Sequence, residues 1–278
     1  MVPPPQPLAE ELAKKQREIS VAEFFERNKQ ILGFDSPTRA LLTAVKEAVD
    51  NALDACEEAS VLPDIKVELK QGPSENEYIM TVEDNGPGIV KKNIGNVFGS
   101  LLFGSRFHSY RQSRGQQGIG ISATVLYGQL TTGKHAIVTS KIGKGHPAVK
   151  VELAIDTKKN APEIIKTETE SWEKESGTRV EIALTGRYIK GKQSPWEYMR
   201  ATAIVNPHAR FTFIEPNGAT HVFERGDDRV PPPSREIKPH PQGTEMGTLL
   251  RMAREYQGYK LSAFLTTEFS SVGARTAS

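Results

Sequence analysis

Residues 36–59 constrain this chain more than any other stretch, because they read as one long amphipathic helix with polar residues set among apolar ones. Ser36-Pro37 is a helix start: the serine serves as N-cap, and the proline takes the first helical position, where its missing N–H costs nothing. Leu42, Val45, Val49, Leu53 and Cys56 recur at spacings that give a helix apolar faces for a core. Glu47, Asn51 and Asp54 fall at i, i+4 and i+7, so all three project from one face. A carboxylate and a carboxamide one turn apart suit a metal–nucleotide site, Glu as base and Asn as a neutral oxygen ligand for Mg2+. The same residues also describe a solvated stripe on an ordinary amphipathic helix.

Bulk properties exclude several classes. With 278 residues and a net charge of +2, the chain has no electrostatic case for binding nucleic acid or an anionic membrane surface. Its one cysteine, Cys56, excludes an internal disulfide framework and fits a reducing compartment. Cys56 lies on the apolar side of the helix, which suits a buried thiol better than a nucleophile. No apolar run reaches the roughly 20 residues of a membrane span, and the start, Met-Val-Pro-Pro-Pro, lacks a signal-peptide layout. A cytoplasmic protein is expected.

Alternation of apolar and polar residues predicts strands at 64–70 and 78–83, joined by a turn, and further strands near 134–140, 147–155, 163–169, 178–184, 209–214 and 220–224. Helices are expected at 21–31, 119–127 and 194–204. Residues 90–118, rich in Gly, Ser and Arg, read as a long irregular connection. A Pro-rich linker from Gly226 is followed by helices at 245–256, capped by Thr244, and near 260–267. Two short helices cannot bury a core alone.

Three further motifs carry chemistry. In Asp84-Asn85-Gly86-Pro87-Gly88, a carboxylate at a strand end can accept from an exocyclic amine while the glycines let backbone approach a flat ring; the same residues also make a good turn. In Arg114-Gly115-Gln116-Gln117-Gly118-Ile119-Gly120, glycines before a helix expose N–H groups to a phosphate. The Gly118-x-Gly120-x-x-Ala123 spacing also matches a dinucleotide fingerprint, but no carboxylate follows at the distance that fold requires. In Gly177-Thr178, the threonine opens a strand and can hydrogen-bond a base or a bound water, although a β-branched residue at a strand start needs no function.

The order of these motifs is specific where each alone is weak, and in that order the chain resembles the GHKL ATPases (gyrase, heat-shock protein 90, histidine kinases, MutL). Ile19-Ser-Val-Ala-Glu-Phe-Phe-Glu, Leu32-Gly-Phe, the 44–55 run, Arg114-Gly-Gln-Gln-Gly-Ile-Gly, Lys238-Pro-His-Pro-Gln-Gly and Gly247-Thr-Leu-Leu are similar to the B subunits of type IIB DNA topoisomerases (topoisomerase VI) over nearly all of residues 18–278. The resemblance implies a Bergerat fold in the α/β class: a two-layer, mixed sheet with helices on one face and nucleotide among them. It implies Glu47 as general base at the γ-phosphate and Asn51 as ligand of Mg2+. Asp84, with Thr178, would bind the adenine amine, and Gly86 and Gly88 would let adenine lie against the backbone. Gly115, Gln116, Gln117, Gly118, Ile119 and Gly120 would wrap the phosphates of ATP. Lys46 reads as a surface lysine and Asp54 as a supporting residue.

The family resemblance also implies partners: a DNA-cleaving A subunit, another B subunit on ATP binding, and double-stranded DNA through the assembled enzyme. It divides the chain into an arm at 1–20, an ATPase domain at 21–228 and a partial helix-two-turn-helix domain at 229–278. The transducer domain that donates a lysine to the γ-phosphate in this family has no counterpart here, so a fragment with poor turnover is expected. Two other readings are another GHKL enzyme, such as a histidine kinase, and a non-enzymatic scaffold that keeps the fold.

Overall fold

The computed structural model describes residues 19–103, 114, 118–232, 234 and 237–278. One eight-stranded sheet organises them, in the order β5-β4-β3-β6-β2-β1-β7-β8. The strands are β1 (Asp64–Gln71), β2 (Glu77–Glu83), β3 (Ala136–Lys141), β4 (Ala148–Asp156), β5 (Ala161–Glu170), β6 (Gly177–Thr185), β7 (Arg210–Ile214) and β8 (Thr220–Phe223). Only β1 and β7 pair in parallel; the other neighbours are antiparallel, so the sheet is mixed.

Alternation along the strands decides which face is covered. Ile65, Val67 and Leu69 of β1, Met80 and Val82 of β2, Val180, Ile182 and Leu184 of β6, and Phe211 and Phe213 of β7 are all buried. Register sets Val67 opposite Val82 and Phe213, and Val82 opposite Val180, so these side chains form one continuous apolar surface. Their neighbours Lys66, Glu68, Lys70, Glu83, Arg179 and Glu181 line a shallow charged depression on the other face.

Helices cover the apolar face. They are α1 (Val21–Leu32), α2 (Pro37–Glu58), α3 (Lys91–Gly99), α4 (Gly120–Thr132) and α5 (Pro195–Val205); α6 (Met246–Glu255) and α7 (Leu261–Glu268) come after the linker and are not part of that cover. The central helix α2 packs on β1, β2 and β6, and α4 packs beside it on β6, β4 and β3. Local signals start the helices as expected: Ser20, Ser36 and Ser194 each accept a hydrogen bond from a backbone N–H three residues on. None of the helices is long and apolar enough to cross a membrane.

Three local expectations are corrected. Residues 91–99 form helix α3 rather than irregular chain. Its glycines are there for close approach: a Cβ on Gly99 would stand 2.7 Å from Pro162 Cβ, and one on Gly95 3.2 Å from the same atom. Helix α4 runs to Thr132 instead of 127, since Thr131 and Thr132 bond back to carbonyls of the preceding turn and Gly133, at φ 70°, closes it. Thr244 does not cap α6; its hydroxyl donates to the His240 carbonyl in a short 3-10 turn, and Glu245 takes the cap position.

The expected arm lies outside the described residues up to 18, and Ser20 belongs to α1 as its cap. Leu102 N–H donates to the Gly118 carbonyl at 3.0 Å, which joins the two ends of the stretch between them. Leu101 is fixed just before, its N–H and C=O both paired with the Asn160 side-chain amide. After the linker, Phe264 packs against Tyr256 and Phe269, with ring centroids 5.3 and 5.7 Å apart, and is buried.

Candidate functional site

Between α2, the start of α4 and the ends of β2 and β6 lies a cavity of ≈ 1300 Å³, ample for a nucleoside triphosphate. Glu47, Asn51, Asp84, Gly88, Gly118, Ile119, Gly120 and Thr178 all line it. Residues far apart in sequence, from α2 to the start of β6, thus meet around one space. Gly115, Gln116 and Gln117 lie outside the described residues.

One end of the cavity is built on Asp84. Pairing of β2 with β6 brings the Asp84 N–H to the Thr178 carbonyl (2.9 Å), and the Thr178 N–H returns to Asp84 Oδ1 (3.1 Å). Gly86 N–H donates to the same oxygen at 2.8 Å. Asp84 is 7 % exposed, and burial pushes its carboxyl up to about 6 against the opposing effect of those two N–H groups and Lys174. Oδ1 is occupied by backbone; Oδ2 makes no hydrogen bond to any described residue, which leaves it for a ligand donor.

The glycines here serve the backbone. Gly86 is not on the cavity wall: its N–H holds Asp84, and a Cβ would press within 3.0 Å of Asp84 Oδ1. Gly88, at φ 74°, does line the cavity, and a Cβ there would overlap the Lys141 carbonyl of β3. Asn85 locks the turn from behind. Its amide donates to the Leu62 carbonyl (3.0 Å) and accepts from Asp64 N–H (2.8 Å). Cys56 sits beside it, buried, its thiol pushed up to about 12 by burial, so it is an inert packing group rather than a nucleophile.

The other end is built on α2. Glu47 and Asn51 face the cavity from adjacent turns and make no hydrogen bond to a described residue. Burial raises the Glu47 carboxyl above its usual range, with Lys46 opposing and Asp50 reinforcing the shift. A carboxylate whose proton affinity is raised by burial is a stronger base. Gly120, the first residue of α4, sits so close that a Cβ would overlap the Glu47 carboxylate. The α4 N-terminus has no side-chain cap, so its leading N–H groups open toward the same space.

Sequence reasoning gave Asp54 a supporting role but missed the other supports. Asp50 receives the Tyr198 hydroxyl at 2.8 Å, tying α2 to α5. Arg114 is bidentate to Glu57 (2.7 and 2.9 Å) and also bonds Asp54 Oδ1 (3.0 Å) and Asn206 Oδ1 (2.7 Å). Asp54 therefore anchors Arg114. Glu57, although burial works the other way, is held below the usual carboxylate range by Arg114 and His208. Asp54 and Glu57 are one turn apart on α2, but no spacing in the sequence links them to residues 114 and 206; only the fold does. Arg114→Ala is expected to destabilise the chain by about 1–3 kcal/mol in urea unfolding. Arg114→Lys should recover little of it, because an ammonium cannot reproduce the bidentate fork.

Residues 37–188 match the family described as histidine kinase-, DNA gyrase B-, and HSP90-like ATPase. The chain is 57% identical over 272 residues to the B subunit of type 2 DNA topoisomerase 6 from Methanococcoides burtonii. The proteins of the same name from Methanosarcina barkeri and Archaeoglobus fulgidus are 56% and 54% identical. These matches cover 96–98% of this chain but only 44% of each relative's length.

Proposed function

The chain belongs to the histidine kinase-, DNA gyrase B- and HSP90-like ATPase family, and from that membership we propose that it is the ATP-binding and ATP-hydrolysing part of the B subunit of a type IIB DNA topoisomerase. One observation carries the reading: Asp84 and Thr178 line a single cavity with Glu47 and Asn51, Gly118 and Ile119 line it too, and Gly120 lies against Glu47. That is an acceptor for a base amine at one end and a raised carboxylate at the other.

Each group then has a role. Asp84 Oδ2 accepts from the adenine amine. The open N–H groups at the start of α4 take phosphate oxygens, with Gly115, Gln116 and Gln117 completing the wrap. Asn51, a neutral oxygen donor with no competing hydrogen bond to a described residue, fits Mg2+. Among the described residues no cluster of three His, Cys, Asp or Glu accompanies it, and a single protein ligand would suit Mg2+, which commonly keeps several waters. Mg2+ held there would supply charge neutralisation on the phosphates. Glu47 orients the attacking water and accepts its proton.

In this reading, nucleotide binding in the ATPase domain at 21–228 drives pairing of two B subunits. The helices of 229–278 open a second domain, and a separate A subunit cleaves the DNA that the assembly passes. The names of the relatives support that assignment. The decisive experiment is equilibrium titration of the purified chain with a fluorescent ATP analogue, with and without Mg2+. Saturable binding that ATP and ADP displace, and GTP displaces poorly, is expected. No binding would sink the proposal.

A further inference from the structure

Ser140, on β3, is buried at 2 % exposure and lies behind Thr178 rather than on the cavity wall. Its hydroxyl has three neighbours. The Ile89 N–H donates to Oγ at 2.8 Å. The Gly177 carbonyl lies 3.1 Å away and can only accept, so it takes the one hydrogen that Ser140 has. The third neighbour is Thr178 Oγ1, at 3.2 Å. With its hydrogen directed to Gly177 and one lone pair filled by Ile89, Ser140 has only a lone pair left for Thr178. Thr178 must then be the donor in that contact.

We infer that Ser140 sets the purine specificity of the site: by taking the Thr178 hydrogen, it leaves the Thr178 oxygen facing the cavity as an acceptor. The adenine end then presents two acceptors, Thr178 Oγ1 and Asp84 Oδ2, and no hydroxyl hydrogen. An exocyclic amine satisfies such an end. A 6-oxo group, as in hypoxanthine or guanine, meets oxygen lone pairs and is rejected. Asp84 alone would not achieve this, because a freely turning Thr178 hydroxyl offers its hydrogen to a 6-oxo group as readily as its lone pair to an amine. Ser140 is a positioning residue in this scheme and acts only through Thr178. The inference rests on the proposal that the cavity holds adenine nucleotide.

The test compares ATP with ITP, which differs only at the 6-position and the adjoining ring nitrogen, at pH 8, where Asp84 is ionised. In the unsubstituted chain ATP should bind much more tightly than ITP; no preference would overturn the nucleotide reading itself. Ser140→Ala frees the Thr178 hydroxyl and should narrow the ATP:ITP affinity ratio about tenfold, while Ser140→Thr, which keeps the hydroxyl, should retain the ratio. An unchanged ratio in Ser140→Ala, or equal weakening of both nucleotides, would mean that Ser140 only supports the strand, and overturns the inference. A measurement on the unsubstituted chain covers the case of a variant that fails to fold. The Thr178 hydroxyl proton should show a nuclear Overhauser contact to the Ser140 β-protons, and a proton directed into the cavity instead overturns the inference equally.

Discussion

Glu47→Gln should leave ATP bound and stop its hydrolysis. The side chains are nearly the same size, and Glu47 makes no hydrogen bond to a described residue that the amide would lose. The fold and the Asp84 end of the cavity therefore stay as they are. What the amide cannot do is accept a proton. Loss of a positioned general base costs about 10²–10⁴-fold, and the proton affinity that burial raises at Glu47 suits that role. Single-turnover hydrolysis at saturating Mg-ATP, beside a titration of ATP affinity, separates the two effects. Turnover equal to that of the unsubstituted chain would remove Glu47 from the chemistry.

Asp84→Asn should trade selectivity for stability. In the folded chain the Asp84 carboxyl titrates at about 6 instead of the ordinary 3.8, because burial penalises its charge. The sign follows from linkage. Between about pH 4 and 6 the folded chain holds a proton that the unfolded chain has released, so the contribution of Asp84 to stability falls as pH rises through that window and is flat above it. Ionising the group in place costs roughly 3 kcal/mol. Asparagine carries no charge to bury and can still accept the Gly86 and Thr178 N–H groups. The variant should therefore melt at a higher temperature than the parent at pH 8, and the advantage should vanish near pH 4. Nucleotide binding moves oppositely. The parent needs the carboxylate to accept from adenine, so its ATP affinity should fall below pH 6; Asp84→Asn should bind ATP more weakly than the parent at pH 7 and 8, the gap narrowing at pH 5, while GTP changes little. Melts and titrations at pH 5, 6, 7 and 8 check both halves. A variant no more stable than the parent at pH 8 would contradict the burial argument.

Much of this site is legible in the sequence because its residues sit at element boundaries, where sequence punctuation is strong. Ser36-Pro37 sets the phase of α2, and that phase puts Glu47 and Asn51 on one side. Asp84 is marked by the glycines after it, and Thr178 by the glycine before it. The fold class and the mixed sheet follow from strand alternation and the family resemblance together. What is not legible depends on contacts between distant residues. Gly95 and Gly99 look like loop glycines because the partner they make room for, Pro162, comes much later in the chain. Ser140 looks like any polar residue on a strand until β3 is seen to lie against β6. Arg114 stands in a chemical motif, but its partners Asp54, Glu57 and Asn206 share no spacing with it. The glycines of the 84–88 turn suggest room for a flat ring, and in the fold their closest neighbours are protein: Asp84 for Gly86, the Lys141 carbonyl for Gly88.

The hydrogen bond from Leu102 to the Gly118 carbonyl has an evolutionary consequence. It pins both ends of the stretch between them to the body of the domain, so the position of those ends does not depend on how many residues lie between. Selection is therefore expected to hold the anchors, this bond and the Arg114 bonds to Asp54 and Glu57, more tightly than the number of residues between Leu102 and Gly118. The wall that Gly118 and Gly120 give the cavity is thus held from outside the cavity itself.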